Sequence, residues 1–350
     1  VRAATESVAA EPGAHLADQL LSALGALPVW IESARVEQDE IRLAGYPDGA
    51  RPTSTVWLEG AGRAGRGEHV GWSRDTHARF ADHAAATSLS GRHVVGPLST
   101  ALRDLFPEPY GRAAVEAAAI ELALAQNRTD LAGLVGAAPR PVRYVVSFDA
   151  SCDPIARMRA ERGVCPAREL KIDVDPRWED SVLDGIAAAG GVAILDFKGA
   201  GSGADHERFG RRFPAALLED ALAPETRRSA EMRDRVSLDA PIRTAGALAA
   251  MDPPPAAVNV KPARMGGVLE AIATVGVAAR LGLLAYFGGM WEVGIGRRQL
   301  CALASLLCAN GPNDIAPLTA PERRVLRLDP ARAKSGFLAL NDARAAAPRT

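Results

Sequence analysis

The chain has 350 residues, 48% of them hydrophobic, and a formal net charge of −1, enough for one large or two ordinary domains with ample core. Acids are interspersed among the arginines, which excludes a nucleic-acid binder driven by phosphate contacts. No uncharged apolar run is long enough for a membrane span.

Residues 1–27 read as a polar tail followed by a short amphipathic helix (AHLADQLLSAL). Glu6, Glu11 and Asp18 interrupt any signal-peptide pattern. Residues 28–140 read as an α+β domain. Strand-like runs PVWIESARV, STVWLEGAG and EHVGWS fill 28–95, and an Ala/Leu-rich helical stretch with AAVEAAAIELALAQ fills 96–136.

From 141 to 325 short apolar strands alternate with helical patterns. RYVVSFDA precedes a helix near 153–162, ELKIDVD one near 179–189, and GVAILDFKG one near 204–213. AALLEDALA, RVSLDAPI, AVNVKPARMGG and LLAYFGG continue the series, and a last strand is expected near NDIAP. Polar landmarks at strand ends fall at 171, 196, 219, 239 and 261, one βα unit apart. About eight such strands favour a closed parallel barrel over an open doubly wound sheet. No GxGxxG loop follows the first strand, and GAGSG (199–203) has neither that spacing nor a P-loop's. Residues 326–350 form a C-terminal segment. The four cysteines (Cys152, Cys165, Cys301, Cys308) contain no CxxC pair and fit a reduced cytoplasm.

In a βα barrel the carboxyl ends of the strands converge on one face, where the site sits. The second barrel strand delivers Lys171 and Asp173, the third Asp196 and Lys198, the fourth Glu219, the fifth Asp239, and the sixth Lys261 with Arg264. Only four of the 41 basic residues are lysines, and three of them stand here. Lysine can lose its proton when desolvated, and arginine in practice cannot. Asp196, Glu219 and Asp239 on neighbouring strands repel one another without a cation, and such hard oxygen donors suit Mg²⁺. A metal there holds a substrate carboxylate and stabilises the enediolate left when an α-proton departs, with a lysine as base.

These residues resemble the enolase superfamily, in particular the branch of muconate lactonising enzymes, o-succinylbenzoate synthases and dipeptide epimerases. VNVKPARMGG, YFGGMWEVGIGRRQLCALASL and NDIAP carry the resemblance most strongly. LKID, LDFKG, LLEDAL, SLDAP and AAVEAAAIELAL add to it, over roughly 28–320. The resemblance implies a modified (β/α)7β TIM-like barrel under an N-terminal α+β capping domain. It implies Asp196, Glu219 and Asp239 as metal ligands, Mg²⁺ as cofactor and Lys261 as an acid, base or cation on one substrate face. The expected reaction is abstraction of a proton α to the carboxylate of a small molecule, by elimination, cycloisomerisation or epimerisation, in a cytoplasmic homo-oligomer.

The chain also departs from that pattern. The branch usually ends its second barrel strand Lys-x-Lys, the second lysine being the base; here Asp173 takes that position and Lys171 lies roughly 6.6 Å deeper. Asp-x-Asn after the first metal ligand becomes Asp196-Phe197-Lys198, and Asp-Glu on the fifth strand becomes Asp239-Ala240. No histidine lies beyond His206, so a seventh-strand histidine base is not available. Two readings stay open. Either Mg²⁺ binds and Lys198 anchors substrate or replaces the missing base, or Lys198 neutralises the acid cluster in a metal-free or inactive barrel kept for binding. Asp173 is either a base or an ion-pair partner of a lysine. Arg264 pairs with substrate or with a barrel carboxylate, and Glu292 either lines the site or bonds a neighbouring strand.

Overall fold

The computed structural model describes residues 13–42, 49–149, 153–315, 321–332 and 336–338. Cys152 and Lys334 lie outside them. The first helix, Ala14–Gly25, buries Ala17, Leu20 and Leu24. It packs on the distant helix Val268–Arg280, where Asp18 and Arg280 pair at 2.9 Å.

The N-terminal lobe holds β1 (Pro28–Ile31), β2 (Ser33–Arg42), β3 (Ala50–Gly60), β4 (Arg63–His69) and β5 (Gly91–Val94). β2, β3 and β4 form an antiparallel meander, and β1 pairs with β5. A helix at Arg74–Ala86, capped by the Ser73 side chain on Thr76 N–H, interrupts the region read as all strands. Its N-cap serine was the signal for it. The Ala-rich helix Pro109–Gln126 lies directly on β4. A Cβ on Gly65 would stand 2.1 Å from the Ala118 carbonyl oxygen, and one on Gly67 1.9 Å from that of Ala114. Glycine on the strand and alanine on the helix are therefore one feature, a backbone-to-backbone approach that side chains would prevent.

The second lobe begins with β6 (Val142–Arg143) and continues with β7 (Val146–Phe148), β8 (Leu170–Asp173), β9 (Val192–Asp196), β10 (Leu217–Glu219), β11 (Val236–Leu238), β12 (Ala257–Val260) and β13 (Leu284–Phe287). β7 to β13 make one parallel sheet in sequential order. The Asn313–Asp314 segment bridges both ends of that sheet, pairing Asn313 with Tyr144 and Asp314 with Gly288. It fills the eighth position, as the NDIAP stretch anticipates, and gives the (β/α)7β barrel. Helices Pro154–Val164, Asp180–Ala189, Gly203–Arg212, Val268–Arg280 and Ile295–Leu307 alternate with the strands. A last strand, β14 (Arg327–Leu328), pairs with β6. Cys165, Cys301 and Cys308 are buried. No helix among the described residues is long and apolar enough to cross a membrane.

Buried charges join the lobes. Glu68 at the end of β4 accepts N–H bonds from Val293 at 2.8 Å and from Gly294 and Gly296 at 2.9 Å, at the start of helix Ile295–Leu307. Glu116 in the Ala-rich helix accepts from Val268 and Leu269 N–H at the start of helix Val268–Arg280. Each carboxylate satisfies helix N-terminal donors that have no partner within their own helix. Arg51, fully buried, donates to the Val70 and Gly71 carbonyls of its own lobe and to those of Met290 and Trp291 in the barrel.

Candidate functional site

Strand register builds the site. Asp173 on β8 is in register with Asp196 on β9, which is in register with Glu219 on β10. Side chains in register on a sheet stand about 5 Å apart, so three carboxylates line up at the carboxyl rim. Asp239 directly follows β11 and Lys261 directly follows β12. Asp314 arrives from the segment that closes the barrel.

Lys171 starts one layer deeper, and its side chain covers the distance. The ammonium group contacts Asp196 Oδ2 at 3.0 Å, Asp314 Oδ2 at 3.3 Å and Glu219 Oε1. The residue is 1% exposed. Burial alone would lower its pKa, but Glu219, Asp196 and Asp314 outweigh it and hold the amine well above its usual range. Lys198 pairs with Asp196 Oδ2 at 2.5 Å and Asp173 Oδ1 at 3.1 Å. Against burial and the Lys171 charge, those two carboxylates keep Lys198 protonated beyond the ordinary amine range. Lys261 reaches Asp239 Oδ2 at 2.9 Å, and Arg264 bonds Asp239 Oδ1.

The carboxylates divide by environment. Despite burial, Lys171 and Lys198 hold Asp196 well below the usual carboxylate range, and Lys261, Lys171 and Arg264 lower Asp239. Glu219 is pushed up to about 8 by burial, against the pull of Lys171 and with Asp196 and Asp239 nearby. Burial also raises Asp173.

The structure brings Lys171, Asp173, Asp196, Lys198, Glu219, Asp239, Lys261 and Arg264 to one rim. Glu292 does not join them. Its carboxyl turns back to accept the Met290 N–H at 2.6 Å and sits beside Glu68, where burial pushes it up to about 7. Of the two roles the sequence leaves open for Lys198, neither puts Lys171 at the centre of the acid cluster, yet the ammonium found there is that of Lys171, while Lys198 pairs with Asp196 and Asp173. Sequence reasoning also missed the polar layer beneath: the Tyr286 hydroxyl donates to Glu219 Oε2 at 2.5 Å and Asn259 to Oε1 at 3.2 Å. Tyr286 and Asn259 stand two residues before Gly288 and Lys261 in the YFGG and VNVK motifs, but nothing in the sequence says that they point inward. Asp220 was also missed. It follows Glu219 directly and accepts the Asp239 and Ala240 N–H groups at 2.8 and 3.0 Å.

A cavity of about 660 Å³ opens above the cluster, lined by Lys171, Asp173, Lys198, Asp220, Asp239, Lys261, Arg264 and Asp314, with Phe148, Arg157, Met290 and Trp291 around them. Trp72 reaches it from the N-terminal lobe. A hollow of about 810 Å³ bounded by Leu124, Asp130 and Pro141 is larger but lies away from the strand carboxyl ends. Five described non-glycine residues have positive φ, and three of them, Lys198 (51°), Asp220 (49°) and Trp291 (65°), line the smaller cavity. Backbone strain of this kind concentrates where a site dictates geometry.

Residues 138–320 match the family described as "Domain of unknown function (DUF8230) C-terminal domain", and residues 22–134 match its N-terminal counterpart. The chain belongs to the DUF8230 family. The fold of this DUF8230 chain is that of the enolase superfamily, shared with solved members from several bacteria. The dipeptide epimerase from Methylococcus capsulatus, complexed with Mg and the dipeptide L-Arg-D-Lys, superposes with a TM-score of 0.70 at 19% identity, over 82% of this chain and 90% of the epimerase. The N-succinylamino acid racemase of an Amycolatopsis species is 30% identical over 41% of this chain and 43% of the racemase. That of Thermus thermophilus is 27% identical over 65% of each. The DUF8230 chain thus spans between 43% and 65% of the length of the curated relatives it matches.

The family resemblance leads to the expectation of a divalent metal on Asp196, Glu219 and Asp239, and the donor set can be tested for it. Every oxygen of the three already accepts a hydrogen bond. Asp196 Oδ1 takes the Lys198 N–H, and Oδ2 takes Lys171 and Lys198 Nζ. Glu219 takes Lys171 and Asn259 on one oxygen and Tyr286 on the other; Asp239 takes Arg264 and Lys261. Among the described residues no group of three or more His, Cys, Asp or Glu side chains is arranged to hold a metal ion. Adding a divalent ion 4 Å from the Lys171 ammonium would cost on the order of 8 kcal/mol in repulsion at an effective dielectric of 20. As arranged, the residues do not fit Mg²⁺, because Lys171 stands where it would bind.

Proposed function

We propose that this chain catalyses proton transfer at the carbon next to a carboxylate, within the racemase, epimerase and cycloisomerase chemistry of proteins that share its fold. One observation carries the reading: Asp173 and Lys261 face the same cavity from opposite walls. Asp173 ends β8 and Lys261 directly follows β12, strands four positions apart in a barrel of eight. Groups on opposite faces of a substrate carbon are what stereochemical inversion requires.

In this reading the substrate carboxylate settles against Lys198 and Arg264, both on the cavity wall. Asp173 removes the α-proton. Burial makes its carboxylate a stronger base than an exposed aspartate. Charge that develops on the substrate carboxylate is met by the fixed cations around it, already oriented by their ion pairs. Lys261 returns a proton on the other face, or holds the anion when the outcome is elimination or cycloisomerisation. Magnesium, which the Methylococcus capsulatus epimerase binds, has no step here, since its oxygen donors are taken. Racemase and epimerase relatives point to an N-acylated amino acid or a dipeptide as substrate.

The test is exchange of substrate α-protons with D₂O, followed by NMR, across N-acyl amino acids, dipeptides and unsaturated dicarboxylates, with and without EDTA. Exchange of at least one class that is lost in both Asp173→Asn and Lys261→Ala supports the assignment. No exchange with any class, or exchange surviving both substitutions, refutes it.

A further inference from the structure

We propose that Lys171 is the resident cation of this barrel, an ammonium group built into the place a divalent metal would take. The inference stands apart from the proton-transfer reading, because its readout is metal binding and not turnover. An ammonium group has three N–H donors, and Lys171 finds three carboxylates: Asp196 at 3.0 Å, Asp314 at 3.3 Å and Glu219. All four groups are buried or nearly so. The lysine thus spends its donors on acids and leaves none for solvent. Asn259 and Tyr286 bind Glu219 from beneath and complete the shell.

The arrangement is reciprocal. A metal would need the carboxylate lone pairs that Lys171 and Lys198 now use, and displacing Lys171 would leave a charged amine, 1% exposed, with no other acid in contact among the described residues. The strand register makes this hard to avoid. Lys171 projects from the layer below the carboxylates and its stem is just long enough to reach them. The cation is therefore encoded in the chain, always present and independent of ionic supply.

Mn²⁺ titration of the full chain, read by EPR of the free ion, tests this, together with melting temperature in millimolar Mg²⁺ against EDTA. The wild-type protein is expected to leave the free-ion signal undiminished and to melt at the same temperature in both buffers. Lys171→Met is expected to take up one Mn²⁺ per chain, at least about tenfold more tightly than wild type, and Lys171→Arg to stay silent. Stoichiometric uptake by wild type that disappears in Asp196→Asn overturns the proposal. A folded Lys171→Met that binds no better than wild type does so too. If Lys171→Met does not fold, the wild-type and Asp196→Asn titrations decide alone.

Discussion

Glu292 is a buried acid whose behaviour sets a measurable pH dependence. Its carboxyl accepts the Met290 N–H and lies beside Glu68, which is committed to three backbone N–H groups. Burial pushes its pKa from 4.5 in the unfolded chain to about 7. The folded protein therefore binds this proton more tightly. The stability contributed is fully present below pH 4.5 and is lost as pH rises through 7. Each tenfold gain in proton affinity on folding is worth about 1.4 kcal/mol, so the loss across that window is about 3 kcal/mol. Glu292→Gln keeps an acceptor for Met290 and abolishes the titration. Urea unfolding should give nearly equal stabilities for variant and wild type at pH 5. At pH 8.5 the variant should be more stable by up to about 3 kcal/mol. A stability difference that stays constant across this range would refute the reasoning.

Three further outcomes are expected. Gly67→Ala should destabilise by at least about 2 kcal/mol in chemical denaturation, because its Cβ would stand 1.9 Å from the Ala114 carbonyl oxygen. Glu116→Ala should cost about 1–3 kcal/mol by leaving the Val268 and Leu269 N–H groups without their acceptor, and hydrogen exchange should quicken there first. Asp173→Asn should lower the α-proton exchange rate at least about 100-fold with the fold intact by circular dichroism. In wild type that rate should rise with pH as Asp173, held above the usual carboxylate range by burial, loses its proton.

The barrel was legible because its strands are short apolar runs ending in charge, at one βα unit per repeat. Lys171, Asp173, Asp196, Glu219, Asp239 and Lys261 all mark such ends, and all reach the rim. Their pairings were not legible. Whether Lys171 reaches up to Glu219 or stops at Asp173 depends on the length and rotamer of one side chain. Whether Lys198 sits in the cluster or beside it depends on a backbone φ of 51°. Glu292 follows a motif that points to the rim, yet the left-handed Trp291 before it turns the chain away. Glu68 and Glu116 gave no signal, since a glutamate that caps a helix more than 150 positions later has no local pattern.

Those two glutamates bear on how the protein can be taken apart. A fragment cut at the boundary between the lobes would expose two barrel helix ends with bare amide protons and strand two anions in what had been an interior. Swapping the N-terminal lobe for another, to graft a different lid over the cavity, would call for a donor that carries acids at the same two places. Recombining the lobes therefore has to preserve these two buried carboxylate contacts as well as the joining segment.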